Sequence, residues 1–111
     1  MPTVEQLEKL LRLDPTDTFV LYGLGQAHAK AGRHAEALDF YDRCLAEDPH
    51  YCYAYYFKAQ SQEAMGELTE AVATLEAGRE ASKAAGEDKA WRETSEYLEA
   101  IRDTLSRAGG G

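Results

Sequence analysis

Three histidines, two cysteines and one dense run of aromatic rings are the side chains in this 111-residue chain best suited to chemistry or recognition. His28, His34 and His50 would be metal ligands or proton carriers if carboxylates gathered around them. They fall on different predicted elements with no HExxH spacing, so no metal-ligand set is expected, and His34 and His50 read as surface residues. Cys44 and Cys52 would be nucleophiles. A helix N-terminus can lower a thiol pKa, and Cys52 stands at a predicted helix start, but no base is spaced to serve it. There is no G-x-S-x-G, no Walker loop and no G-x-G-x-x-G; Gly23 and Gly25 give only GLG inside a helical pattern. No catalytic residue and no cofactor is expected, and the chain is not expected to be an enzyme.

Recognition chemistry is more concentrated. Residues 51–57 read YCYAYYF, with Tyr51, Tyr53, Tyr55, Tyr56 and Phe57 in a chain that is only 10% aromatic. Tyr51, Tyr53, Tyr55 and Phe57 alternate as they would along one face of a strand, so the run alone leaves strand and helix open. The elements that surround it decide between them.

Length suits a single domain with a modest core. The composition is 44% hydrophobic, and Lys+Arg 12 against Asp+Glu 20 gives a net charge of -8. That balance argues against nucleic-acid and anionic-membrane partners. Two cysteines make no disulfide framework, so a reducing cytoplasm is the expected compartment. The N-terminus carries Glu5, Glu8 and Lys9 among its apolar residues, unlike a secretory signal, and no stretch approaches a membrane span.

An internal repeat organises the chain. LRLDP at 11–15 returns as LAEDP at 45–49, which separates Pro15 and Pro49 by 34 residues. The same offset lays AKAGRHAEAL (29–38) on EAMGELTEAV (63–72), superposing Gly32 on Gly66, Glu36 on Glu70 and Ala37 on Ala71. Between these markers Leu21, Leu24 and His28, then Ala37, Leu38, Tyr41 and Leu45, follow helical spacing. Each unit is thus two helices joined at Gly32 or Gly66, and Asp-Pro closes the first because proline cannot continue a helix. Helices are predicted at about 4–13, 18–31, 34–47, 52–65, 68–84 and 88–107, with Gly86 as a C-terminal stop and Asp88 as an N-cap.

This pattern resembles the tetratricopeptide repeat (TPR) family, whose 34-residue unit carries W-x2-L-G-x2-Y, then A-x3-F, then P. In the first unit Leu21, Leu24-Gly25, His28, Ala37, Tyr41 and Pro49 stand at those positions, His28 being the poor fit. In the second, Tyr55, Ala59, Ala71 and Leu75 match, while Lys58, Gln62 and Lys83 replace the leucine, the tyrosine and the proline. The resemblance implies an all-α, right-handed TPR superhelix, an α-α solenoid of about six helices: a half repeat (4–15), repeats at 18–51 and 52–85, and a capping helix (88–107). Cys44 then falls where the family places a small buried residue. Gly109, Gly110 and Gly111 are expected to form a flexible tail.

In that register YCYAYYF opens the fourth helix, and the strand is rejected. Tyr55 and Tyr51 are expected to pack; Tyr53, Tyr56 and Phe57 are the unusual rings. TPR proteins often bind peptides on the concave surface made by the first helix of each unit. By resemblance that surface draws on Phe19, Tyr22, Gly23, Gln26 and Lys30, and on Tyr53, Tyr56, Phe57, Gln60 and Glu63. An aromatic patch with a polar border suits a protein or peptide partner. Packing is the competing expectation: Trp91, Tyr97 or Leu98 of the last helix lying on Tyr56 and Phe57, with Gly23 making room for Phe57. Lys58 is expected to bury its stem and send its ammonium to water. Trp91, Thr94, Leu98, Ile101 and Leu105 are expected on one apolar face. Glu76, Arg79 and Glu80, and Arg92, Glu93, Glu96 and Glu99, are expected on solvated outer faces. The functional expectation is a non-catalytic protein-interaction module; the alternative is weak homo-oligomer formation through the solenoid ends, with Val4, Leu7, Leu10 and Leu11 as the interface.

Overall fold

Side-chain caps open α1 and α2, and Asp-Pro or a left-handed glycine closes each helix from the first to the fifth. A computed structural model describes residues 2–109 as α1 (Val4–Leu13), α2 (Thr18–Lys30), α3 (His34–Glu47), α4 (Cys52–Ala64), α5 (Leu68–Ala85) and α6 (Asp88–Gly109), with no strand among the described residues. Thr3 and Gln6 form a reciprocal capping box on α1, with Gln6 N donating to Thr3 Oγ1 at 3.1 Å and Thr3 N to Gln6 Oε1 at 2.8 Å. Asp17 accepts from Val20 N at 3.2 Å and caps α2.

The two Asp-Pro junctions are conformational copies. Asp14 sits at φ -143°, ψ 94° and Asp48 at φ -139°, ψ 92°, extended as a following proline requires. The turns inside the repeats match as closely: Gly32 has φ 80° and Gly66 φ 77°. There Arg33 N donates to His28 O (2.9 Å) and Glu67 N to Gln62 O (2.8 Å), satisfying carbonyls that the helix end leaves open. Gly86 (φ 71°) stops α5 in the same way. Asp88, expected as an N-cap, is instead the first residue of α6; the preceding Glu87 carbonyl accepts from Trp91 N at 2.9 Å.

Consecutive helices pack on one another; across the stack, α2 also meets α4 and α4 meets α6. The core therefore runs in series. Leu7, Val20 and Leu24 join α1 to α2. Leu21, Ala37, Tyr41, Cys44 and Ala54 join α2, α3 and α4. Ala59, Ala71, Leu75, Leu98 and Ile101 join α4, α5 and α6. The closest approach of α2 and α3 depends on Gly25, where a Cβ would stand 2.5 Å from Cε1 of the fully buried Tyr41. Gly78 admits Tyr55 in the same manner, a Cβ there meeting Tyr55 Cβ at 2.6 Å.

Several residues lie elsewhere than the spacing suggested. The buried stripe of α6 is Ala90, Thr94, Leu98 and Ile101; Trp91 turns outward and is 43% exposed, because Ala90 takes the inward position beside it. Gly109 is the last residue of α6, and the remainder of the expected tail, Gly110 and Gly111, lies outside the described residues. Gly23 faces Leu7 on α1, where an added Cβ would stand 3.5 Å from both leucine methyls, and it makes no room for Phe57. Lys58 sends its ammonium to Asp42 of α3 at 2.7 Å.

Candidate functional site

The 34-residue offset puts Phe19 and Tyr53, Tyr22 and Tyr56, and Gln26 and Gln60 at equivalent positions on the neighbouring helices α2 and α4. Between these helices and the start of α1 lies a groove of about 810 Å³, bounded by Val4, Leu7, Phe19, Tyr22, Gly23 and Phe57 and bordered by Gln26, Lys30, His34 and Gln60. Its apolar character follows from burial by neighbours that are themselves apolar: Leu7 closes one side, Phe57 the other, and Gly23 with Ala27 leave the space between them unfilled.

Of the ten residues expected on this surface, Phe19, Tyr22, Gly23, Gln26, Lys30, Phe57 and Gln60 line the one groove. Tyr53, Tyr56 and Glu63 lie on α4 alongside it, toward α6. The rings are continuous from one part to the other. Tyr22 meets Tyr51 at 5.0 Å and Phe57 at 6.1 Å between centroids; Phe57 meets Tyr56 at 5.3 Å and Tyr53 at 6.4 Å; Tyr56 meets Tyr97 of α6 at 5.1 Å. Most of these approach edge-on or tilted, as ring quadrupoles favour. Thus Tyr97 is the α6 ring that packs on the aromatic run, while Leu98 is buried in the cluster with Ala59, Ala71 and Leu75 and Trp91 is exposed.

Polar contacts fix the rings. Tyr41 donates its hydroxyl to Gln26 Oε1 at 2.7 Å, and Gln26 Nε2 donates to the Tyr22 hydroxyl at 3.2 Å. Burial first, then the neighbouring Tyr51, Cys44 and Tyr53, push the Tyr22 hydroxyl up to about 12, so it stays protonated. At the α6 side Tyr53 donates to Glu93 at 2.8 Å and Tyr97 to Glu63. The Tyr53 hydroxyl is raised above its ordinary value chiefly by that bond to Glu93, and the Tyr97 hydroxyl chiefly by burial and then by Glu63. Glu93, expected on an outer face, is therefore half-buried against α4.

His34 likewise leaves the expected surface role, its Nδ1 lying 3.1 Å from Ser61 Oγ at the groove border. His28 stacks on Phe40 at 5.2 Å and its Nδ1 accepts from Arg33 at 2.9 Å. Burial and then Asp48 push the Cys44 thiol up to about 11, which keeps it a thiol near neutrality. No group of three or more His, Cys, Asp and Glu side chains able to hold a metal ion occurs among the described residues. What the arrangement offers is apolar and aromatic surface with a few oriented polar groups.

Sequence reasoning missed the α1 wall, Val4 and Leu7, and the His34–Ser61 contact. Leu7 was findable, since the 34-residue offset carries it onto Tyr41, a core position. Nothing in local pattern points His34 at Ser61, because the contact joins different repeats.

A family model described as tetratricopeptide repeat matches residues 28–92, and a second of the same description matches residues 4–51. Superkiller protein 3 of Schizosaccharomyces pombe is 39% identical over 72 residues, which is 65% of this chain and 5% of that protein. The chain thus spans about one twentieth of that relative's length. A TPR repeat-containing protein of Pseudomonas aeruginosa is 27% identical over 95 residues, 86% of this chain and 90% of that protein. Among solved structures, PcrH in complex with the chaperone binding region of PopD superposes with a TM-score of 0.87 at 20% identity, covering 92% of this chain and 77% of that one. The TPR2B domain of yeast Sti1 in its pHsp70 complex gives 0.85 at 24% identity, covering 91% and 81%. At these identities the two structures speak to the fold.

Proposed function

The chain belongs to the tetratricopeptide repeat family, and from that premise we propose that it is a non-catalytic protein-interaction module holding a segment of a partner protein on the concave face of α2, α4 and α6. The observation that carries this reading is the apolar groove of about 810 Å³ continuous with a half-exposed shelf of Tyr53, Tyr56 and Phe57. A folded domain has no packing reason to leave so many rings in reach of water, and such rings with polar borders are what protein-binding hot spots are made of. The complexes formed by PcrH and by the Sti1 domain lend support by analogy of fold. No described helix is long and apolar enough to cross a membrane.

Phe19 and Tyr56 separate binding from folding. Phe19 is 68% exposed, so Phe19→Ala should shift urea-unfolding stability by only about 0.5 kcal/mol while reducing partner capture. Truncation of a true hot spot costs about 2 kcal/mol or more, near thirtyfold in affinity. Tyr56→Ala should weaken binding similarly, with a larger stability loss because Tyr97 leans on it. Full retention of partner capture by both variants would sink the reading.

One feature favours a second reading, association of two copies through the α1 end. Leu10 is 46% and Leu13 83% exposed there, whereas Leu7, counted in the expected interface, is only 4% exposed and already packed on α2. Sedimentation across a concentration series decides it: a monomer at tens of micromolar removes this reading.

A further inference from the structure

Resting on the groove reading, the geometry points to the occupant's chemistry: a peptide segment with an apolar or aromatic anchor and, beside it, a Lys or Arg whose cation is received between α4 and α6 by the Tyr53–Tyr56–Tyr97 rings and the carboxylates of Glu63 and Glu93. The two sides of the concave face differ in charge. Toward α1 the groove is apolar and bordered by Lys30 and His34. Toward α6 it continues into tyrosine rings whose hydroxyls donate to Glu93 and Glu63.

Those two carboxylates take no part in the ion pairs among the described residues, which engage Asp42, Glu76, Glu99 and Asp103 instead. Each accepts a tyrosine hydroxyl and keeps further lone pairs for a second donor. The hydroxyl bonds hold the Glu93 carboxylate at the edge of the Tyr53 ring and the Glu63 carboxylate at the edge of the Tyr97 ring before any ligand arrives. An ammonium or guanidinium seated there meets both a negative ring face and a carboxylate, and a guanidinium can also donate in pairs. The protein already seats one such cation on itself, Arg43 over Phe40 at 5.5 Å, on another part of the surface.

Charge also sets direction. With net charge -8 the chain draws a basic segment and repels an acidic one. Lys30 repels a second cation at the opposite side, so the basic residue lies toward α6 and the apolar anchor toward Leu7 and Gly23. An acidic segment would have to place its carboxylates against Glu63 and Glu93 or reverse its course.

The test is selection of a random peptide library displayed on phage against the full chain, followed by anisotropy titration of the winning peptides. Winners should pair an aromatic or aliphatic residue with Lys or Arg. Their affinity should fall about tenfold on Glu63→Gln/Glu93→Gln, which keeps acceptors for Tyr97 and Tyr53, and should fall with salt in the wild type far more than in that variant. Replacing the peptide's Lys by norleucine should then cost affinity in the wild type and almost none in the variant. Winners rich in Asp and Glu, or winners whose Lys or Arg is indifferent to the double variant, would each overturn the inference while leaving the groove as a binding surface. Winners indifferent to Phe19→Ala and Tyr22→Ala, or no winners at all, would bring down the groove reading itself and this inference with it.

Discussion

A methyl group added at Gly25 would collide with the ring of Tyr41, whose Cε1, Cδ1 and Cζ all lie within 2.9 Å of the new carbon. Tyr41 is fully buried and its hydroxyl is held by Gln26, so the ring has nowhere to retreat. Gly25→Ala should therefore cost about 1–3 kcal/mol by urea unfolding, against the usual gain from replacing a helical glycine by alanine. The Tyr22 hydroxyl makes a different prediction. Its pKa in the fold is pushed up to about 12, whereas the unfolded chain releases that proton near pH 10. The folded state thus holds a proton the unfolded state has lost, so the contribution is complete below about pH 10 and declines as pH rises toward about 12. Tyr22→Phe should lower stability slightly at neutral pH, through loss of the Gln26 bond, and make the alkaline decline of the urea midpoint shallower. An unchanged alkaline slope would show that Tyr22 does not titrate differently in the two states.

Among the elements, α6 carries a sharp contrast between its large residues. Leu98 is fully buried and Ile101 nearly so, in the cluster with Ala59, Ala71 and Leu75, whereas Trp91 is 43% exposed. Leu98→Ala should cost about 2–5 kcal/mol, and deletion of 88–111 should leave a product that aggregates or melts without cooperativity. Trp91→Ala should stay within about 1 kcal/mol. A truncated chain that melts cooperatively at an unchanged temperature as a monomer would refute the covering role of α6. The helices themselves were legible in the sequence, because Asp-Pro, Gly32, Gly66 and Gly86 fix where the backbone must turn and those constraints are local. Which residues of α6 are covered was less so: Trp91 and Leu98 stand seven residues apart, within about 20° of one another around the helix, yet Leu98 is fully buried and Trp91 is open. That Phe19, Tyr22 and Gln26 of α2 share one groove with Phe57 and Gln60 of α4 was readable from the repeat register. The partners of Glu93 and His34 were not, since Tyr53 and Ser61 are 40 and 27 residues away and no pattern encodes them.

For the whole molecule, net charge -8 and a groove whose border offers Lys30 as its lysine bear on acidic ligands. Some tetratricopeptide domains grip chaperone C-terminal carboxylates with Lys, Arg and Asn, whereas the positions proposed here to meet a ligand are Tyr22, Gln26, Tyr53, Tyr56, Phe57 and Gln60. Calorimetric titration with an acidic chaperone-tail peptide should give an affinity weaker than about 100 μM, near −5.5 kcal/mol. Low-micromolar binding would overturn that expectation. The serial core has a mechanical consequence. Each of its clusters is shared by adjacent helices, and the molecule is 49 Å long but only 21 Å thin. A pull on its two ends loads the clusters one after another, with no sheet or clasp among the described residues to shear in parallel. Stretched between tethers, the chain should give way at low force, helix by helix from an end, and the α1 end, held by the three-residue cluster of Leu7, Val20 and Leu24, should peel first.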